Sequence, residues 1–427
     1  MAWRDEWPSG LDGSPYDGLH LWDLIHNGQS PFEGAWDINL LVREIEEKLN
    51  TRVTDIPKVS GGANNYGFHI RTSDRQDMVA RLARGDVNMP NFDGFSIEQQ
   101  IPEVQFEAAT YELLRSEPEI TASRLLYYRA PVKKPGIAVE KPVDILGRRL
   151  MVFEKAEAVD NLWSVLSING KYTLIDRLAH IRAALFHYDP PLEFAAKYLH
   201  ERTFDFKPKS LSMPVTPTRD FFIHVLEEKI KATIGNQGDM IGWEDDEETV
   251  GPIALAAKES LLRAIPYITP PELTNPETSL YRLVLEHGDF GIHNASMSKN
   301  ASGEPIITSL YDWETACVVP ALLSDPSVSV KQLDLIVDEM GGPSVADIPE
   351  TSTLADVEMY TAWSKHYSTK LFDEAPDYKV AIEAGKDVRD LWFSLRDWHG
   401  GNSEEFFGEL GAWAEKRKKE LGVSSID

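Results

Sequence analysis

The stretch EHGDFGIHNAS, Glu286 to Ser296, admits two readings that give Asp289 different work. Read as Asp289-Phe290-Gly291, the aspartate is a metal ligand. Read as His287-x-Asp289 with Asn294 downstream, the aspartate is a base and the asparagine helps to hold the metal. The residues after Ser296 decide between them. Beyond a hairpin-like excursion, MSKNASGEP, an apolar run ends in LYDWE, which places Asp312 at the end of a predicted strand. Two strands flanking a turn are expected to bring Asn294 and Asp312 to one spot. No Asp-x4-Asn element followed by a strand lies close upstream of Asp289, so the first reading lacks a base. Asp289 is therefore read as the base, and Asn294 and Asp312 as the metal ligands. His, Asp and Asn also recur in loops as turn and capping residues. The downstream strand ending in Asp-Trp-Glu raises the motif above that alternative.

This trio suits phosphoryl transfer, which needs positioning and charge neutralisation more than covalent help. Magnesium takes oxygen ligands and keeps several waters, so one carboxylate and one amide oxygen are a natural pair. A carboxylate facing an attacking hydroxyl orients it and takes its proton. A nucleotide site also needs a phosphate cradle, a cation and a slot for the base. SGGANN sits between two predicted strands. Its Gly61 and Gly62, with Ser60 and Asn64, offer backbone that approaches phosphate oxygens closely. The same residues fit an ordinary hairpin turn. MVARLAR puts Arg81 in the middle of an apolar strand, where a charge needs a partner. Glu107, on the following helix, is the expected one; an edge-strand arginine facing solvent is the alternative. RLMVFEKAE offers backbone to a base from about Phe153 to Ala156, Lys155 included.

The bulk numbers narrow the classes. The chain has 427 residues, 42% hydrophobic and 10% aromatic, enough for a real core. Its 69 acidic against 43 basic residues give a formal charge of −26, which disfavours nucleic acid or an anionic membrane as partner. A solvated acidic surface accounts for this charge; a cationic substrate is the more specific reading. The one cysteine, Cys317, allows no intrachain disulfide and suits a reducing, cytoplasmic compartment. The polar start MAWRDEWPSG has no signal-peptide character, and no apolar run approaches the roughly 18 residues of a membrane span.

Residues 1–35 are rich in Gly, Pro and Trp and read as an irregular leader. Residues 36–150 alternate strands with helices predicted at 38–50 and 103–117, and read as a nucleotide-binding lobe. A hinge is expected over 151–158. From 159 to 427 helical spacing dominates, with helices predicted at 172–188, 221–235 and 252–268. The stretch from 236 to 251, with EDDEE at 244–248, reads as an acidic loop, and the charged end AEKRKKELGVSSID as a solvated tail. There is no Walker A sequence, no Gly-x-Ser-x-Gly elbow and no His/Cys spacing for zinc.

In this order, SGGANNYGF, MVARLAR, FEAATYELL, LMVFEKAE, LEHGDFGIHN and LYDWETA…SDP resemble the aminoglycoside phosphotransferase and choline kinase-like family, especially its fungal group. The resemblance covers most of residues 50–330. It implies an α+β, two-lobed protein kinase-like fold, with a small antiparallel-sheet lobe followed by a larger, mainly helical one. It implies ATP (or GTP) and Mg2+ as cofactors and phosphoryl transfer to an alcohol. Asp289 matches the base, Asn294 and Asp312 the metal ligands, and Glu107 the helix glutamate that fixes the phosphate-binding cation. His287 and Asp325-Pro326 match structural positions. Many members carry lysine where this chain has Arg81, and arginine is common there in the fungal group. Arginine is a planar fork and lysine a point charge, so phosphate geometry is expected to differ.

The acceptor is expected among the C-terminal helices, in DLWFSLRDWHGGNSEEFF. Asp390, Trp392 and Asp397, with Glu314 after the metal strand, are its candidate contacts. Aromatic faces with carboxylates suit an amine-bearing small-molecule alcohol; the same pattern suits a helix-packing core. The alternative to a kinase is a kinase-fold protein without that activity, either a nucleotide-independent biosynthetic enzyme or a binding and regulatory protein.

Overall fold

The structure is a computed structural model. It describes residues 7–10, 12–74, 76–85, 97–132, 145–204, 206–235, 247–272, 279–331, 333–398 and 400–423. It is α+β and divides into two compact units. The first comprises Met1–Leu162, Ala295–Asn300 and Ile306–Glu314; the second comprises Trp163–Asn294, Ala301–Pro305 and Thr315–Asp427.

The first unit begins with α1 (Leu21–His26), α2 (Ile38–Leu49), β1 (Val53–Gly61), β2 (Asn65–Thr72), β3 (Met78–Ala83), α3 (Ile97–Leu114), β4 (Leu125–Arg129) and β5 (Leu150–Glu154). The strands form an antiparallel sheet in the order β1-β2-β3-β5-β4. Period-two burial sets its inner face: Tyr66, Phe68 and Ile70 on β2, Met78, Ala80 and Leu82 on β3, Leu150 and Val152 on β5. Ile38, Leu41 and Ile45 of α2 cover that face at helical spacing. Each such side chain contributes about 1.5–3 kcal/mol by leaving water. On the opposite face lies α3, whose Tyr111 meets Phe153 edge-on at 4.8 Å. This helix starts at Ile97 rather than at the predicted 103 and runs through Pro102, a residue that reads as a helix boundary in sequence.

The leader is draped on the sheet. Tyr16, Leu21, Phe32 and Trp36 are buried in the same core as the sheet. Gly18, at φ +78°, accepts a hydrogen bond from Val59 N at 2.6 Å, so the leader is joined to β1. Its Gly and Pro disguise an aromatic cluster that needs the sheet to complete it.

The chain continues as α4 (Leu162–Val165), α5 (Ile168–His187), α6 (Leu192–Arg202), α7 (Arg219–Thr233), α8 (Glu247–Ile268), β6 (Leu283–Glu286), β7 (Ala295–Lys299), β8 (Pro305–Leu310), β9 (Cys317–Pro320), β10 (Val328–Val330), β11 (Leu333–Val337), β12 (Pro343–Ala346), α9 (Leu354–Glu374), α10 (Pro376–Ala384), α11 (Lys386–Asp397) and α12 (Ser403–Glu420). β7 and β8 make a two-stranded hairpin, and β6 pairs antiparallel with β9. The small sheet β10-β11-β12 interrupts a region read as helical from sequence. Its strands are too short to display a period, and Lys331 turns between two of them at φ +62°.

The charged C-terminal end is also not simply a tail. Residues up to Glu420 belong to α12, with Ala414 buried. Arg417 of this helix donates to Asp387 at 2.8 Å, and Gly411 lets the helix approach Ala257 of α8, where an added Cβ would lie 3.1 Å from the Ala257 Cα. Glu244, Asp245 and Asp246 of the expected acidic loop lie outside the described residues; Glu247 and Glu248 already belong to α8. No described helix is long and apolar enough to cross a membrane.

Candidate functional site

The Asp289 loop belongs to the second unit and is anchored on both sides by buried groups. Glu286, the last residue of β6, accepts from Arg182 of α5 at 2.5 Å and from Ser324. Ser324 also bonds the Tyr378 hydroxyl at 2.6 Å. Burial disfavours the Arg182 charge, but Glu286, together with Tyr378, Tyr367 and Asp325, outweighs this and keeps the guanidinium ionised. His287 is fully buried and meets Phe290 edge-on at 6.1 Å. Arg182 also lies 5.6 Å from the Phe290 ring centre. Gly288 sits at φ +81°, and a Cβ there would collide with the Thr315 carbonyl oxygen. Asp325 is held below the usual carboxylate range: burial acts against this, but Arg182 and two hydrogen bonds from Ser327 prevail.

On this base Asp289 projects, 51% exposed. Its Oδ1 meets His293 Nε2 at 3.0 Å, and its Oδ2 accepts from Asn294 Nδ2 at 3.0 Å. The same amide nitrogen donates to the Asp289 carbonyl at 2.9 Å. Fixing the amide NH2 in this way turns Oδ1 of Asn294 to the other side, as a neutral oxygen donor of the kind magnesium accepts. Sequence reasoning missed His293. The signal was present, four residues after Asp289 and next to Asn294 in one short motif.

Arg81, Glu107, Asp312 and Glu314 lie in the first unit, and the structure brings them together. Arg81 Nη2 donates to Asp312 Oδ1 at 2.9 Å, while its Nη1 lies 3.9 Å from Glu107 Oε1. The expected Arg81–Glu107 pair is thus present but is the looser of the two contacts. Nη1 is buried and has no hydrogen-bond acceptor among the described residues. Burial works against the Arg81 charge, and Asp312 and Glu107 outweigh it. Asp312 does not end the strand as expected. It lies beyond β8 in a left-handed turn, φ +69°, with its N–H donating to the Tyr111 hydroxyl at 3.0 Å. Aspartate tolerates that conformation better than most residues, and such outliers concentrate at functional positions.

Glu314 was expected to face an acceptor. Its carboxylate is instead committed to the sheet: Oε2 accepts from Arg149 Nη2 at 2.5 Å and Oε1 from Asn64 Nδ2 at 2.8 Å. The hairpin carrying Asn64 is closed by Gly62 N donating to Asn65 O at 2.8 Å, and Ser60, Gly61 and Gly62 are exposed. Trp7 lies against Gly61, where a Cβ would come within 2.9 Å of the indole. Phe153 is buried and paired on both sides, with Val79 of β3 and Leu125 of β4. The next two N–H groups are already used, Glu154 to Arg124 O and Lys155 to Asp77 O, which shifts the expected base contact to carbonyls or past Lys155.

The expected acceptor residues of α11 and α12 separate. Trp392 is buried in the core, with the Lys229 ammonium 5.3 Å from its ring centre, and so does not face a ligand. Asp397 is exposed and bonds its neighbour Arg396 at 2.7 Å. Asp390 borders a cavity of about 250 Å³ with Phe406, Glu409 and Trp413. Among the described residues no group of three or more His, Cys, Asp or Glu side chains is placed to hold a metal ion.

No family model and no curated protein matches the chain. Solved structures similar to it include the ADP-bound aminoglycoside phosphotransferase APH(2'')-Ib, 11% identical over 91% of this chain and 100% of that one, TM-score 0.41. Others are a microcompartment-associated aminopropanol kinase (12%, covering 91% and 99%, TM-score 0.35) and the macrolide 2'-phosphotransferase MphH from Brachybacterium faecium (14%, covering 88% and 97%, TM-score 0.37). These likenesses are distant, so the chain's own residues carry the functional argument.

Proposed function

We propose that the chain is a small-molecule kinase that moves the γ-phosphoryl group of ATP or GTP to an alcohol. The observation that carries this is the Asp289 carboxylate, exposed yet oriented by Asn294 and His293 on a rigidly buried loop. Asp289 orients the acceptor hydroxyl and takes its proton, the freed oxygen bonds to phosphorus, and the nucleoside diphosphate leaves. Such a base contributes about 10²–10⁴-fold to rate. Arg81 steadies the phosphates, a role supported by its buried Nη1, which has no hydrogen-bond acceptor among the described residues. Asn294 Oδ1 and the Asp312 carboxylate are each a donor of the kind magnesium accepts. The ion supplies neutralisation of charge developing on the phosphoryl oxygens. Asp390 and Glu409 beside Phe406 and Trp413 support a cationic acceptor, an amino alcohol or aminoglycoside-like compound.

One observation favours the other reading, a kinase-fold protein without kinase activity: Asp312 is already tied to Arg81. A thermal-shift titration separates the two. Magnesium with ATP or GTP is expected to raise the melting temperature by linkage, about 2.7 kcal/mol at a hundredfold excess over Kd. Asp312→Ala abolishes the metal-dependent part. Asp289→Ala keeps the shift but releases ADP at least a hundredfold more slowly with a competent amino alcohol, in keeping with the loss of a general base. No shift in well-folded wild-type protein would reject the kinase reading.

A further inference from the structure

Arg149 precedes β5 and is a second partly buried guanidinium beside Arg81. Arg81 on β3 stands opposite Met151 of β5, and Ala83 N donates to Arg149 O at 3.0 Å. Leu82 and Leu150 point to the buried inner face, so Arg81 and Arg149 both leave the sheet on the other side. Diagonal neighbours on adjacent strands lie roughly 7–8 Å apart. Two guanidinium groups that close, 18% and 12% exposed, need anions between them. Asp312 and Glu107 serve Arg81, and Glu314 serves Arg149. Glu314 also ties back to the glycine-rich hairpin through Asn64, and Arg149 Nε reaches Asn65 Oδ1 at 3.4 Å.

We propose that Arg149 is a second phosphate-binding cation, and that Glu314 occupies it as a stand-in anion until a nucleoside triphosphate displaces it. This rests on the proposed nucleotide-binding function. A phosphate group presents oxygens spaced for a guanidinium fork, as a carboxylate does, so the exchange replaces the single Nη2–Oε2 contact by a partner of higher charge. It also releases Asn64, coupling the hairpin backbone to phosphate arrival. Glu314 is then a competitor of the ligand, and the two partners of one ion pair have opposite effects on binding.

That opposition is the test. The full chain is titrated calorimetrically with ATP, ADP and adenosine, with and without magnesium. Arg149→Gln is expected to weaken ATP binding roughly tenfold or more, as loss of a charge-assisted contact does, and to leave adenosine unchanged. Glu314→Gln is expected to tighten ATP binding. A merely structural salt bridge would move both variants the same way, or neither. If Arg149→Gln does not fold, Glu314→Gln decides alone: unchanged or weaker ATP binding overturns the proposal. Wild-type protein that binds none of these ligands overturns the nucleotide reading itself. Wild-type binding with an unaffected Arg149→Gln overturns only the role of Arg149.

Discussion

At Asp390, burial and the nearby Glu339 lift the carboxyl to about 6, with Lys386 opposing. A carboxyl whose folded pKa lies above its unfolded value of 3.8 favours the folded state at low pH. That contribution is lost as pH rises through the folded value, between about 4 and 6 here. Asp390→Asn removes the ionisation and is expected to melt higher than wild type at about pH 8, with the difference vanishing near pH 4 and below. Melting curves across that range check it. The residue scale is also where legibility divides most sharply. The contact between Asp289 and Asn294 was readable because they share one short motif. Glu107 was readable as a partner for Arg81 because it lies on the next amphipathic run, predicted at 103–117. The closer partner, Asp312, is 231 residues away, and Arg149 and Glu314 are 165 apart. Such pairs are made by tertiary folding and leave no periodic trace.

Among elements, the loop bearing Asp289 is tied to α5 by the buried Arg182–Glu286 ion pair. Arg182→Met would leave Glu286 buried without its cationic partner, at a cost of about 3–5 kcal/mol. Adding Glu286→Leu should restore much of that, because two matched apolar side chains replace two desolvated charges. Urea denaturation of the single and double variants measures both. Helices with unbroken apolar spacing were legible. α2 and α7 fall within two residues of their predicted limits, and α5 starts four residues early, where Ser167 caps it by accepting from Gly170 N. α3 and α8 start before their prolines, Pro102 and Pro252, where a sequence reader stops. β10 to β12 were invisible because three to five residues do not show an alternation.

For the whole molecule, a formal charge of −26 makes self-repulsion a general term rather than a local one. Raising sodium chloride from about 10 mM to 150 mM shortens the Debye length from about 30 Å to 8 Å and should raise the melting temperature. A flat or falling response would mean that exposed ion pairs, which salt weakens, matter more than the net charge. The α+β class was legible at this scale because strand-like and helix-like spacings occupy different stretches of chain. The place of the leader was not, because its aromatics acquire a core only when the sheet is present.

The contact between Trp7 and Gly61 has a practical side. Indole emission responds to the polarity and quenching groups around the ring. Trp7 is stacked on Tyr16 at 6.0 Å and bonded through Nε1 to its carbonyl at 2.8 Å, so the ring is held in register with the hairpin rather than tumbling. The protein therefore carries its own optical probe of that turn. The difference between wild-type and Trp7→Phe spectra isolates the signal from the other tryptophans, and stopped-flow mixing gives the opening and closing of the hairpin a time axis.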